Sequence, residues 1–202
     1  MKIYVKPRSF FTFQNEKALK KFVEKHIVIS INSPAIPEMN IDNEECPFPK
    51  ECLNSPNLLA LRFHDAELGY RNKILLMTYS DAEKARKFVK QIEKNEEYLK
   101  KDLYVHCTAG ISRSGAFGEI LNDYFNLYLN NMEKSKDWDF FWNMNGRRIQ
   151  PNGWVKRLLR WKLFGDPKPE KTMITDEEMT EAIERKKKSD ATFEKYWRYF
   201  LL

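Results

Sequence analysis

The sequence has no stretch of about 18 or more apolar residues, and its start, Met-Lys-Ile-Tyr-Val-Lys-Pro-Arg, holds no apolar core of the kind a secretory signal needs. Neither membrane insertion nor export is expected, and a soluble cytoplasmic protein is. Cysteine is scarce, and an odd count of three agrees with a reducing compartment. Cys46 and Cys52 lack what a metal site needs, a second pair or a nearby histidine. A dominant charge is also missing: 35 Lys and Arg stand against 29 Asp and Glu, a net +6. That balance suits an anionic substrate but is too mild and too evenly mixed to point to nucleic acid. What is present suffices for a core, since 42% of the 202 residues are apolar and 14% aromatic. The length fits one domain with an appendage.

Periodicity then assigns the elements. Lys2–Val5 reads as a strand, and Glu16–Lys25 as a helix with Ala18, Leu19, Phe22 and Val23 on one face. His26–Asn32 is continuous and β-branched, as a strand buried on both faces of a parallel sheet should be. Ser33–Asn57, with five prolines and no period, reads as a long irregular loop. Leu58–Phe63 is a further strand that leads into His64-Asp65. Ser80 and Glu83 have the spacing of a capping box ahead of Ala82, Ala85, Phe88, Val89 and Ile92. Leu103–Val105 is the last strand, and Ala116, Phe117, Ile120, Leu121, Tyr124, Phe125, Tyr128 and Leu129 mark a central helix after it. A helix with Pro151 near its first turn and a stripe of Val155, Leu158 and Leu159 follows. Together these elements predict an α/β domain over residues 1–165 with a central, mostly parallel sheet flanked by helices. Gly165, Pro167 and Pro169 mark the boundary of a helical extension over 166–202. In that extension Thr175 and Glu178 form another capping box, and Phe193, Tyr196, Trp197, Phe200 and Leu201 share a face expected to dock on the domain.

The chemistry is concentrated in residues 103–115, Leu-Tyr-Val-His-Cys-Thr-Ala-Gly-Ile-Ser-Arg-Ser-Gly, where a strand ends, a loop turns and a helix begins. A loop wrapped at a helix N-terminus can aim successive backbone N–H groups at one centre, where the helix dipole also favours an anion. Thr108, Ala109, Gly110, Ile111 and Ser112 would form this phosphate cradle, with Gly110 supplying the freedom in φ. The same field favours the thiolate of Cys107, making it a nucleophile near neutral pH. Arg113 can span two phosphate oxygens with its planar fork, which a lysine cannot. Ser114 puts a hydroxyl near the thiolate, where it can stabilise it as a leaving group.

His106-Cys107-x5-Arg113-Ser114 resembles the signature of cysteine-dependent protein tyrosine phosphatases, and His-Cys-Thr-Ala-Gly-Ile-Ser-Arg-Ser-Gly looks most like the dual-specificity branch. The resemblance spans about His26 to Leu163 and is tightest at 105–115. It implies a phosphatase-type fold and hydrolysis of a phosphorylated protein, on tyrosine or on serine and threonine as well. The implied route runs through a cysteinyl-phosphate intermediate, with no metal and no cofactor. It also implies an acid on a loop before the cysteine, for which Asp65, 42 residues ahead of Cys107, is the candidate and Asp81, at 26, the rival. Asp81 is better explained as a charge at a helix N-terminus. Asp42, Glu44 and Glu45 stand behind both. In the same comparison His106 would support the cradle's backbone and Asn152 would brace the loops around it, although Asn152 reads equally well as a helix cap. Three other readings stay open: an RNA 5′-phosphatase, a phosphoinositide phosphatase, which the absence of Lys from the cradle disfavours, and a silent phosphate-binding module.

Overall fold

Six consecutive buried residues, Ile27–Asn32, form β2, and a strand buried on both faces must lie inside a sheet with helices on either side. In the computed structural model it does. The structure describes residues 1–37, 42–67, 74–129, 149–173, 175–178, 180, 181, 183–185 and 188. β2 pairs in parallel with β4 (Leu103–Cys107) on one side and β3 (Leu58–Arg62) on the other, and β1 (Ile3–Pro7) pairs in parallel with β4. The order is β1-β4-β2-β3. All four strands therefore run the same way, and their C-terminal ends gather the loops that carry Arg8, Ser33, Phe63 and Thr108 on one edge.

Side-chain alternation divides the core between the two faces. Ile27, Ile29, Ile31, Leu103, Val105 and Cys107 belong to the larger cluster, with residues of α3 (Tyr79–Glu93), α5 (Arg113–Asn122) and α6 (Gly153–Phe164). Val28 and Leu58 belong to the smaller one, with Phe11 of α1 (Ser9–Thr12), Leu19 and Val23 of α2 (Glu16–Lys25), Phe48 and Cys52. Among the described residues of the 33–57 segment the longest regular element is a short 3-10 turn at Lys50–Asn54, and Cys46 and Cys52 are free thiols.

Several sequence expectations shift by a few residues for identifiable reasons. α3 begins at Tyr79, and its capping box is Thr78 with Asp81, not Ser80 with Glu83: the Thr78 hydroxyl accepts from Asp81 N at 3.0 Å, and the Asp81 carboxylate accepts from Thr78 N at 3.1 Å. Glu83 instead pairs with Arg86 and Lys162, which hold its carboxyl down at about 2. Pro151 stands just before α6, whose N-cap is Asn152. β4 continues through His106 to Cys107, so the strand delivers the thiol directly into the loop. A one-turn helix, α4 (Glu96–Leu99), precedes β4. α5 widens into a π-helical stretch over Asp123–Leu129. α6 ends at Gly165, whose φ of +80° is the left-handed conformation that closes helices. The Thr175–Glu178 box forms as expected, with bonds of 2.8 and 3.2 Å. The aromatic face from Phe193 to Leu201 lies outside the described residues. No described helix is long and apolar enough to cross a membrane.

Candidate active site

Two backbone constraints shape the 107–113 loop. Gly110 has φ +70°, and a Cβ there would come within 2.6 Å of Lys6 C and Pro7 N, so no other residue fits between the loop and β1. The loop's carbonyls are bonded outward: Arg8 N donates to Thr108 O at 3.2 Å, Gln150 N to Ile111 O at 3.1 Å and Asn152 N to Ser112 O at 3.2 Å. Among the described residues none of the Gly110, Ile111 and Ser112 N–H groups donates to another backbone group. The N-terminus of α5 carries no side-chain cap and no acidic residue in its first turn. Free donors and the positive end of a helix thus coincide in one loop, a setting that attracts an anion.

Cys107 stands at the base of this loop, 1% exposed, with Sγ 3.1 Å from the Ser114 hydroxyl. Arg113 is also buried, at 2%. Its Nη1 donates to Ser33 Oγ and to Phe63 O, both at 2.8 Å, and its Nη2 donates to Thr108 Oγ1 at 2.6 Å. Its Nε has no partner among the described residues. Thr108 passes the chain of bonds on, donating to Glu44 Oε2 at 3.0 Å, and that oxygen also accepts from Ser33 N at 2.8 Å. Ser33 and Glu44 come from the segment after β2; Ser33 holds one arm of the guanidinium directly, and Glu44 acts on the other only through Thr108. Sequence reasoning held Glu44 only as a reserve acid and missed Ser33 and Phe63. Their one available signal was position, just past the C-terminal ends of parallel strands, where α/β sheets place their ligand sites.

The segment after β3 brings Asp65 to the same loop. Ser112 Oγ donates to Asp65 Oδ1 at 2.6 Å, and Asn152 Nδ2 donates to the same oxygen at 3.0 Å. Asn152, 4% exposed, also caps α6, accepting from Val155 N at 3.0 Å through Oδ1. Bracing and capping are thus done by opposite ends of one amide. Asp81 is confined to its capping box and an ion pair with Lys84. His64 fastens the base of the Asp65 segment: Leu75 N donates to Nδ1 at 2.8 Å, and Nε2 donates to Pro34 O at 3.0 Å. Burial first, and then the Arg113 charge, lower its pKa, which keeps Nδ1 available as an acceptor.

His106 is fully buried against the rings of Phe11 and Phe48, with centroids 4.9 and 6.0 Å away. Neither ring nitrogen finds a hydrogen-bond partner among the described residues, so its contact with the cradle is through packing rather than a bond to the loop's backbone. Burial, helped by the charges of Arg8 and Arg113, pushes its pKa down to about 3, so the ring is neutral. Above the cradle lies a cleft of about 490 Å³, lined among others by Ser33, Glu44, His64, Asp65, Thr108 and Arg113. Among the described residues no cluster of three or more His, Cys, Asp or Glu has the geometry to hold a metal.

No family model matches the chain and no curated protein does. Among solved structures it is similar to Tk-PTP in its active form, at 12% identity and a TM-score of 0.33, over 86% of this chain and 87% of that one. It is also similar to PTPMT1 in complex with PI(5)P, at 15% identity and a TM-score of 0.38, over 75% of this chain and 86% of that one.

Proposed function

We propose that this protein is a cysteine-dependent phosphomonoester hydrolase acting on phosphorylated protein side chains, tyrosine first, through a phosphocysteine intermediate. The observation that carries this reading is the Cys107 thiol 3.1 Å from the Ser114 hydroxyl, at the base of a loop whose carbonyls are bonded outward ahead of an uncapped helix. In this reading the phosphoryl group sits on the N–H groups of Thr108 to Ser112 and on the unpartnered Nε of Arg113. Cys107 Sγ attacks phosphorus as a thiolate, the P–O bond to the substrate breaks, and Asp65 gives its proton to the departing oxygen. Water then attacks the phosphocysteine and Asp65 takes one of its protons. The S–P bond breaks toward a thiolate that accepts a hydrogen bond from Ser114. His106 and Asn152 act from behind, the first by packing and the second by holding Asp65.

The described lining favours a single phosphate on a protein side chain over a polyphosphorylated head group, since Asp42, Glu44 and Asp65 bring three carboxylates to the cleft. The described start of the 166–202 extension touches the domain. Tyr79 Oη donates to Pro169 O at 2.8 Å, and Lys168 Nζ lies 4.5 Å from the Tyr79 ring centre.

The test is turnover of an aryl phosphate and of a phosphotyrosine peptide by wild type and by Cys107→Ser. The variant should lose activity on both while keeping the wild-type melting temperature, and orthovanadate should inhibit the wild type. Undiminished turnover by Cys107→Ser would contradict the proposal.

A further inference from the structure

The geometry points to Glu67 as the residue that positions Asp65, through a bond to the first N–H of α6. This rests on the reading of Asp65 as the acid. The Glu67 carboxylate accepts from Gly153 N at 2.7 Å, 86 residues away in the chain. Gly153 is the first residue of α6, where an N–H has no intrahelical acceptor and the dipole favours negative charge. Asn152 satisfies Val155 N in the same turn and reaches Ala66 O at 3.3 Å besides Asp65. Asp65, Ala66 and Glu67 are thus each bonded to the Asn152-Gly153 pair.

The missing side chain at Gly153 fits the same contact. Gly153 is not among the positive-φ glycines, so its backbone does not require the missing side chain. A Cβ at this position would meet Glu67 Oε1 at 2.8 Å and Oε2 at 3.0 Å. The glycine costs helix propensity at the start of α6 and is accounted for by the close approach of the carboxylate. Both bonds that fix Asp65 fall on Oδ1, from Ser112 and Asn152. With Glu67 anchoring the following residues, Oδ2 keeps a fixed direction in which to deliver a proton. Misplacing a catalytic group by about 1 Å can cost on the order of 100-fold, so an anchor two residues from the acid matters when proton delivery limits the rate.

Two routes remove the anchor. Glu67→Ala deletes the carboxylate. Gly153→Ala pushes aside its flexible end while leaving α6 a better helix former. Each variant is compared with wild type on a phosphotyrosine peptide and on an aryl phosphate whose electron-poor phenol departs without a proton. Both variants should lose roughly tenfold in kcat on the peptide, a part of the 100-fold or more that acid catalysis contributes, and stay within about twofold of wild type on the activated ester. Glu67→Gln, whose amide oxygen still accepts from Gly153 N, should restore most of the peptide activity. Equal losses on both substrates, no loss on either, or a Gln variant as impaired as Ala would overturn the inference. A wild type inert on both substrates would instead overturn the proposed function on which it rests.

Discussion

Arg113 has two jobs in the proposed reading, and only one of them is legible in the sequence. Its spacing from Cys107 marks it as a phosphate ligand, but nothing local announces that Ser33, Phe63 and Thr108 supply three acceptors to its two terminal nitrogens. Those partners come from segments up to 80 residues away. Removing the guanidinium would leave Phe63 O and the Ser33 hydroxyl unpaired in the interior, so Arg113→Ala loses stability as well as activity and is a poorer probe than Cys107→Ser. The two candidate acids can be separated at this scale. Asp65→Asn should lower kcat on phosphotyrosine peptides by about 10²–10⁴-fold and cost much less on an activated aryl phosphate. Asp81→Asn should leave turnover on both unchanged, because its carboxylate serves Thr78. The reverse pattern in steady-state kinetics would move the acid to Asp81. Asp65 became a candidate through the resemblance, which implies an acid on a loop before the cysteine. Glu67 had no such pointer, since the donor it meets begins a helix far along the chain.

At the scale of elements, the helix and strand assignments succeed where one periodicity runs uninterrupted, as in Glu16–Lys25, whose observed bounds match the expected ones. They slip at the start of α3, where the expected Ser80–Glu83 box is replaced by Thr78 with Asp81, and Glu83 pairs with Arg86 and Lys162. Thr78→Ala should therefore destabilise the protein by about 1 kcal/mol, a fall in melting temperature of roughly 2–4 °C for a domain of this size. Ser80→Ala should stay within about 0.5 kcal/mol of wild type. Thermal denaturation followed by circular dichroism separates the two, and a larger effect at Ser80 would contradict the observed box. The irregular 33–57 segment is the element least readable in advance. It lacks a period because its described residues carry Ser33 to Arg113, Glu44 to Thr108, and Phe48 and Cys52 to the core, rather than forming a face.

For the whole molecule, the three histidines respond to pH in one direction. His26, His64 and His106 all have pKa values lowered from 6.5, chiefly by burial, His106 to about 3. Unfolded, each binds a proton as the pH falls through about 6.5, whereas the folded protein resists. Their contribution is thus fully present above that pH and is lost on acidification toward about 3. Each proton taken up only by the unfolded chain costs about 1.4 kcal/mol per pH unit. Denaturant midpoints measured from pH 7 down to 4.5 should fall steadily, and a flat profile would contradict the burial of these rings. The parallel α/β architecture itself could be read from β2 and from the strand, loop and helix around Cys107, because a doubly buried strand admits few other homes. The central claim is that Cys107 carries the phosphoryl group in transit. Its most direct test is to mix Ser114→Ala protein with a phosphotyrosine peptide labelled on phosphorus, quench with denaturant within a turnover, digest, and locate the label by mass spectrometry. Slower breakdown of the intermediate should leave the label on the peptide containing Cys107; label on any other residue, or turnover with no labelled protein at all, would contradict it.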